Sequence, residues 1–119
     1  MKDYRNLKVW EKAHQTTLTI YRITAAFPKD ELYGLTSQIR RSGASIPANI
    51  AEGCGRETDA DFARFLQIAA GSASELDYHL LLARDLKFMG DQDYMAVMET
   101  LAEVRKMLTS LIKRLRANH

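Results

Sequence analysis

The side chains with the most organised chemistry form one polar row on a predicted helix. Their spacing of three or four residues places them on one side of an α-helix, next to an apolar face of Ile39, Ile46 and Ile50. Asn49 lies too close to Ile46 and Ile50 to be freely exposed, and a half-buried amide needs hydrogen-bond partners. The pattern therefore predicts a satisfied polar network or a contact with a partner. The members of the row are Gln38, Arg41, Ser45, Asn49 and Glu52.

Arginines near this row predict ion pairs. Glu52 should form a carboxylate–guanidinium contact with an arginine such as Arg41 or Arg56, and Arg56 is one helical turn away. Arg40 and Arg41 lie in the middle of the same predicted helix. We expect them to pair with acids of a neighbouring helix or of another subunit.

Basic side chains form a second candidate site. Residues 1–28 carry five basic and two acidic side chains, residues 29–103 carry seven and thirteen, and residues 104–119 carry five basic side chains and no acid. If the first and last helices share one end, these cations gather there and bind phosphate backbones by releasing counterions. The alternative is an ordinary helix end whose cations complement the helix dipole. The candidate nucleic-acid-binding residues are Lys2, Arg5, Lys8, Arg56, Lys113, Arg114 and Arg116.

Catalytic and metal chemistry find little support in the sequence. His14, His79 and His119 are scattered, and no pair of His or Cys has the spacing of metal ligands. Glu75 and His79 lie one helical turn apart, and we interpret them as an ordinary pair of solvated side chains on a helix surface. Cys54 has no nearby base, and neither a phosphate-binding Gly-x-x-x-x-Gly-Lys loop nor a dinucleotide fingerprint is present. We predict no catalytic residue, no metal site, no cofactor and no enzymatic activity.

The chain as a whole has the composition of one globular domain. Its 119 residues, 46% hydrophobic and 27% charged, are enough to bury a core without disulfides or metals. No apolar run approaches the ~20 residues needed to cross a bilayer, and the N-terminus does not resemble a signal peptide. The single cysteine excludes an internal disulfide and fits a reducing compartment. We expect one domain over residues 1–119 in the cytoplasm, with no membrane partner.

Four helical segments are predicted to position these groups. They cover about residues 4–26, 30–53, 59–89 and 91–117, and no run alternates as a strand does. Because short connections make neighbouring helices antiparallel, the predicted fold is all-α, an antiparallel up-down-up-down four-helix bundle. The last two segments should bury Phe62, Phe65, Leu66, Ala69, Ala73, Leu76, Leu80 and Ala83, followed by Tyr94, Val97, Leu101, Val104, Leu108, Leu111 and Leu115.

The second segment contains a proline, which has no N–H and whose ring meets the carbonyl four residues earlier. That carbonyl belongs to Gly43, whose backbone can bend without a Cβ penalty. We expect either one long helix kinked near Pro47 or a true break, with Ser45 capping a short second piece. Gly53 and Gly55 should then end the helix.

Two features exceed the needs of one bundle core. The first segment carries two apolar lines, and a bundle helix needs only one, so the second line predicts burial against another subunit. Small residues at 42–45 should face 69–71 across the second and third helices. They permit close helix packing or, alternatively, a subunit contact. The two apolar lines are Leu7, Trp10 and Tyr21, and Val9, Ala13, Ile20 and Ile23.

Residues 40–56 closely resemble a motif of the four-helix-bundle proteins encoded within intervening sequences of bacterial 23S ribosomal RNA genes. Residues 7–13 are similar to the opening of that family, 27–35 to its first turn and 65–76 to its third helix. The resemblance therefore runs almost end to end. The motif residues are Arg41, Ser45, Pro47, Asn49, Glu52 and Gly53.

This resemblance implies a homopentameric bundle. A related branch of the family serves as accessory subunits of diversity-generating retroelements, which work with a reverse transcriptase and nucleic acid. One interpretation is thus a non-enzymatic oligomeric module that binds RNA, DNA or a nucleic-acid-processing protein. The other is a purely structural assembly or protein adaptor without a nucleic-acid ligand. The basic end favours the first.

Overall fold

Four long helices make up the fold, which we describe from a computed structural model of residues 3–117; that part of the chain contains no strand. The helices are α1 (Lys8–Thr24), α2 (Leu35–Cys54), α3 (Asp59–Asp85) and α4 (Asp91–Ala117), with 3-10 turns at Tyr4–Asn6 and Lys29–Glu31. Each helix packs against its two neighbours, since α1 and α3 both contact α2 and α4. The prediction of an all-α, antiparallel four-helix bundle is confirmed.

One apolar core runs along the bundle. All the residues predicted for the core face of α3 are buried, because their spacing of three and four keeps them on one side of the helix. On α4, Tyr94 and Leu111 are only half-buried, and Ile112 joins the core although it was not predicted to do so. Phe27 and Phe88 close the end of the core with ring centroids 5.7 Å apart.

The N-terminal segment differs from the single helix predicted from residue 4. The Asp3 side chain accepts a hydrogen bond from the Arg5 N–H at 3.0 Å and so caps a separate 3-10 turn. Leu7 is extended, and α1 begins only at Lys8. The prediction was wrong here because a capping aspartate stabilises a short turn that ends before the helix starts.

Helix α2 also starts later than predicted. The Glu31 carboxylate accepts a hydrogen bond from the Leu35 N–H at 3.0 Å, which satisfies one of the free donors at the helix N-terminus. A Cβ on Gly34 would lie 2.7 Å from Glu31 Oε1, so glycine makes room for this cap. Leu32, which lies within the predicted helical range of residues 30–53, precedes the helix instead and is 47% exposed.

Helix α2 is continuous through Pro47, and the predicted alternative of a break with a Ser45 cap is wrong. The Gly43 carbonyl, which loses its helical donor to the proline, accepts a hydrogen bond from the Thr17 hydroxyl of α1 at 3.0 Å. A tertiary contact therefore replaces the missing helical bond. Gly55 is the C-cap, whereas Gly53 lies within the last turn.

Helix α3 ends at Asp85, earlier than the predicted end near residue 89. Its N-terminus is capped by Thr58, whose hydroxyl accepts a hydrogen bond from the Asp61 N–H at 3.1 Å. At the C-terminus, Lys87 adopts a left-handed conformation with φ 64°. The Phe88 N–H then donates to the Ala83 carbonyl at 2.9 Å, which is the bond of a Schellman motif. The motif was missed because glycine or asparagine usually occupies this position.

Candidate functional site

The polar row on α2 forms a hydrogen-bonded network with α3. The Asn49 amide donates to the Ser45 carbonyl at 2.8 Å and to the Ser45 hydroxyl at 3.0 Å. That hydroxyl also accepts a hydrogen bond from Ser72 of α3 at 2.9 Å. The hydrogen bonds predicted for Asn49 are therefore present. Both of these bonds lie within α2, and the bond from Ser72 to Ser45 links the second helix to the third.

The last turn of α2 carries the rest of the motif. Arg56 Nη2 lies 3.4 Å from Glu52 Oε2, so the predicted contact of Glu52 is made with Arg56. The Arg56 guanidinium also lies 4.5 Å from the centre of the Phe65 ring, a cation–π geometry. A Cβ on Gly53 would lie 2.9 Å from side-chain atoms of Phe62 and Phe65, so only glycine allows α2 and α3 to approach this closely.

Arg40 has no acidic partner among residues 3–117, so the expected ion pair with an acid of a neighbouring helix is not formed within the subunit. Its Nε donates to the Thr24 hydroxyl at 2.8 Å, and its guanidinium stacks on the Tyr21 ring at 4.7 Å from the centroid. Thr24 ends α1, where a cation interacts favourably with the helix dipole. Arg41 is exposed, and no acid within residues 3–117 pairs with it.

The predicted basic residues that the structure describes share one end of the bundle but divide between two sides of it. Lys8 and Arg114 line one groove between α1 and α4. Lys113 lines the adjoining surface of α4 together with Arg105 and Lys106. We call Lys8, Lys113, Arg114 and Arg116 the basic edge.

The four cations of the basic edge are exposed, and none has an acidic partner within residues 3–117. With its amide oxygen turned towards α4, Gln67 accepts hydrogen bonds from Arg116 at 3.2 and 3.3 Å. An amide partner leaves the charge of the guanidinium uncompensated. The α1–α4 side of this end is therefore a surface of unpaired positive charge.

Among the other predicted cations, Arg5 and Arg56 do not join the basic edge. Arg56 lies in the α2–α3 corner, where Glu52 partly neutralises it. Arg5 is exposed, lies 3.7 Å from the Asp3 carboxylate and stands over the Tyr4 ring. Lys2 lies outside the described residues. The sequence missed this division because it shows which helix ends meet but not which acids accompany each arginine.

The groups considered for catalysis are dispersed. The His14 ring stacks on Trp10 at 4.9 Å between centroids, while His79 lies beside Tyr78. Cys54 is buried in the last turn of α2. Among the described residues, no cluster of three or more His, Cys, Asp or Glu is arranged to hold a metal ion. Within the same residues, no helix is long and apolar enough to cross a membrane.

Comparison with known proteins identifies the family. The model of the 23S rRNA-intervening sequence protein family matches residues 5–110, which is most of the chain. This chain belongs to that family. A search of curated protein sequences finds no match.

A solved structure supports the assignment to the 23S rRNA-intervening sequence protein family. It is a crystal structure from Bacteroides thetaiotaomicron, described as a protein with unknown function from the S23 ribosomal protein family. The two chains are 30% identical, the match covers 88% of this chain and 98% of the other, and the TM-score is 0.80. The bundle is therefore shared with this relative over nearly its full length.

Proposed function

We propose that this intervening sequence protein is a non-enzymatic module that assembles with copies of itself and binds the phosphate backbone of RNA or DNA. The observation that carries the proposal is the basic edge, whose four cations are exposed and have no acidic partner among residues 3–117. Phosphates bind such cations by releasing counterions, and this needs no base-specific contact.

The surroundings of the basic edge suit a nucleic-acid backbone. The groove that contains Lys8 and Arg114 also presents the polar side chains of Asn6 and Ser110. Lys106 and Lys113 stand two turns apart on α4, about 10 Å along its axis, and Thr109 and Ser110 lie between them. Cations and hydroxyls in this alternation favour a chain of phosphates over a single anion. Binding should therefore tolerate many sequences.

Self-assembly would strengthen these contacts. The family resemblance implies five copies, and each copy would bring one basic edge. Linked sites raise the effective concentration of every further contact, so weak contacts become collectively strong. The proposed assembly is thus part of the binding mechanism.

A second candidate function is a structural assembly or adaptor that binds only proteins, including a nucleic-acid-processing partner. It is favoured by the large apolar side chains that the surface leaves exposed. These are led by Tyr33 at 93% and Met95 at 69%, followed by Tyr78 at 57% and Leu18 at 54%. Tyrosines in particular are enriched at protein interfaces.

Binding of a labelled RNA and a labelled DNA to the full chain, measured by fluorescence anisotropy across a salt series, separates the two functions. Nucleic-acid binding by the basic edge predicts that log K falls linearly with log salt. No binding at about 50 mM salt, or a slope of zero, would contradict the proposal and leave the protein-only function.

A further inference from the structure

We propose that copies of this chain join head to tail, with the outer face of α1 and α2 on one copy packed against an outer stripe of α3 on the next. The inference rests on the proposed self-assembly and specifies its interface. The first surface, called the α1–α2 face, consists of Leu18, Tyr21, Leu32, Tyr33 and Arg41. The second, called the α3 stripe, consists of Ile68, Gly71, Glu75 and Tyr78.

The α1–α2 face has the composition of an interface. Tyr21, Leu32 and Tyr33 line one groove together with Arg40 and Arg41. Leu18 lies one turn before Tyr21 on α1 and is also exposed. Tyrosine and arginine are the residue types that most often dominate binding energy at protein interfaces. Of the apolar line Leu7, Trp10 and Tyr21, the first two pack against the bundle core, whereas Tyr21 is exposed on this face.

The α3 stripe is a second, separate surface. Its positions are spaced three, four and three residues apart, as in the seam of a coiled coil. Ile68 and Tyr78 are exposed because the core uses the opposite side of α3. Gly71, expected to face α2, is exposed instead, and an added Cβ would meet nothing within 4 Å. Packing within the subunit therefore does not require a glycine at position 71. A glycine would be required if the backbone of a neighbouring subunit approached α3 closely at this position.

Charge complementarity indicates that the occupant is a second copy. The α1–α2 face presents Arg41 and the α3 stripe presents Glu75, both exposed and both without an ion-pair partner among residues 3–117. The two faces are different surfaces with opposite charge, so they suit a heterologous contact. If the α1–α2 face instead packed against the same face of a second copy, the two Arg41 side chains would come close together, and their like charges would repel.

The heights of the two faces allow a ring to close. Arg41 lies thirteen residues before Cys54, where α2 ends, so it is about 20 Å from the end of the bundle that carries the basic edge. Glu75 lies sixteen residues after Asp59, where α3 begins, so it is about 24 Å from the same end. Leu18 and Ile68 also lie at similar distances from that end of the bundle, about 15 Å and about 14 Å along their helices. Rotation about an axis parallel to the helices therefore brings the faces together without translation. Such a contact gives a closed ring with every basic end on the same side.

Single-stranded nucleic acid is the competing occupant of the α1–α2 face, since bases stack on tyrosines beside arginines. The α3 stripe argues against it, because Glu75 is its only charged side chain and would repel phosphates. A second copy explains both surfaces with one contact. Nucleic acid explains only the first.

Charge reversal tests the interface. The native chain, Arg41→Glu, Glu75→Arg and the double variant are compared by sedimentation velocity across a concentration series. We expect the native chain to sediment as an oligomer and each single variant to shift towards the 13.5 kDa monomer, with assembly at least about tenfold weaker. The double variant should regain the native sedimentation. Glu99→Arg on α4 and Lys87→Glu in the connection between α3 and α4, both exposed and outside both faces, should leave assembly unchanged.

The outcomes separate the interface from the proposed function. If the native chain oligomerises and the single reversals do not weaken it, or the double variant fails to recover, the assigned interface is wrong while self-assembly stands. If the native chain is a monomer at micromolar concentration, self-assembly itself fails. If Arg41→Glu abolishes RNA binding without changing the oligomer, nucleic acid occupies the α1–α2 face and the inference is overturned. Circular dichroism checks that each variant remains helical.

Discussion

The hydroxyl oxygen of Thr17 lies 3.0 Å from the carbonyl oxygen of Gly43, the backbone group that Pro47 deprives of its helical donor. The same hydroxyl lies 3.0 Å from the Ala13 carbonyl of its own helix, so its one proton is shared between two acceptors. Gly43 is buried, and water cannot readily substitute for this donor. A proline in the middle of α2 is therefore tolerated because α1 supplies the missing hydrogen bond.

Thr17→Val should destabilise the protein by about 1–2 kcal/mol, since it keeps the shape of the side chain but leaves the Gly43 carbonyl without a donor. Urea unfolding at one fixed protein concentration measures the change. Thr16→Val is the matched control: the Thr16 hydroxyl bonds only the Lys12 carbonyl, which already accepts a helical N–H. Equal effects of the two substitutions would contradict the special role of Thr17.

Gly53→Ala should destabilise the protein by about 1–3 kcal/mol, because the new Cβ would lie 2.9 Å from side-chain atoms of both Phe62 and Phe65. Gly55→Ala serves as the comparison, since its Cβ would meet only the Glu52 carbonyl at 3.5 Å, an ordinary contact. Thermal unfolding of the two variants should differ clearly. If Gly53→Ala unfolds at the native temperature, close approach of α2 and α3 does not require glycine here.

Asn49→Ala should cost about 1–2 kcal/mol, because it removes both hydrogen bonds to Ser45 and weakens the link to Ser72 of α3. Gln38→Ala, at the exposed end of the same polar row, should have an effect within about 0.5 kcal/mol of zero. Chemical denaturation of both variants makes the comparison. Indistinguishable stabilities would mean that the network around Asn49 is only a surface feature.

The sequence predicted the fold well where one periodic pattern decides the structure. The core face of α3 follows from apolar spacing alone, because a buried stripe on a bundle helix must repeat at that interval. The cap at Thr58 and the contact between Glu52 and Arg56 also follow from local spacing. These features depend on residues within one turn of each other.

Features that depend on tertiary contacts were predicted less well. Arg40 pairs with Thr24 across two helices, and its sequence neighbourhood does not reveal that the end of α1 lies beside it. The late start of α2 depends on Glu31 folding back to cap Leu35. The basic cluster was predicted from helix ends, but its division depends on which cations lie near Glu52 and Asp3.

Binding of nucleic acid by the basic edge is tested most directly by the salt dependence of binding in a variant of that edge. Replacing Lys113, Arg114 and Arg116 with glutamine removes three charges while keeping a similar helix propensity. The control replaces Arg22, Lys29 and Lys87, three exposed cations outside the basic edge, with the same residue.

If the basic edge binds the phosphate backbone, its variant should bind labelled RNA more weakly, with a slope of log K against log salt that is shallower by about 2–3, and the oligomer should be unchanged. The control variant should retain the native slope. Native affinity and slope in the basic-edge variant would contradict binding by the basic edge and would make Arg40, Arg41 and Arg56 the next residues to test.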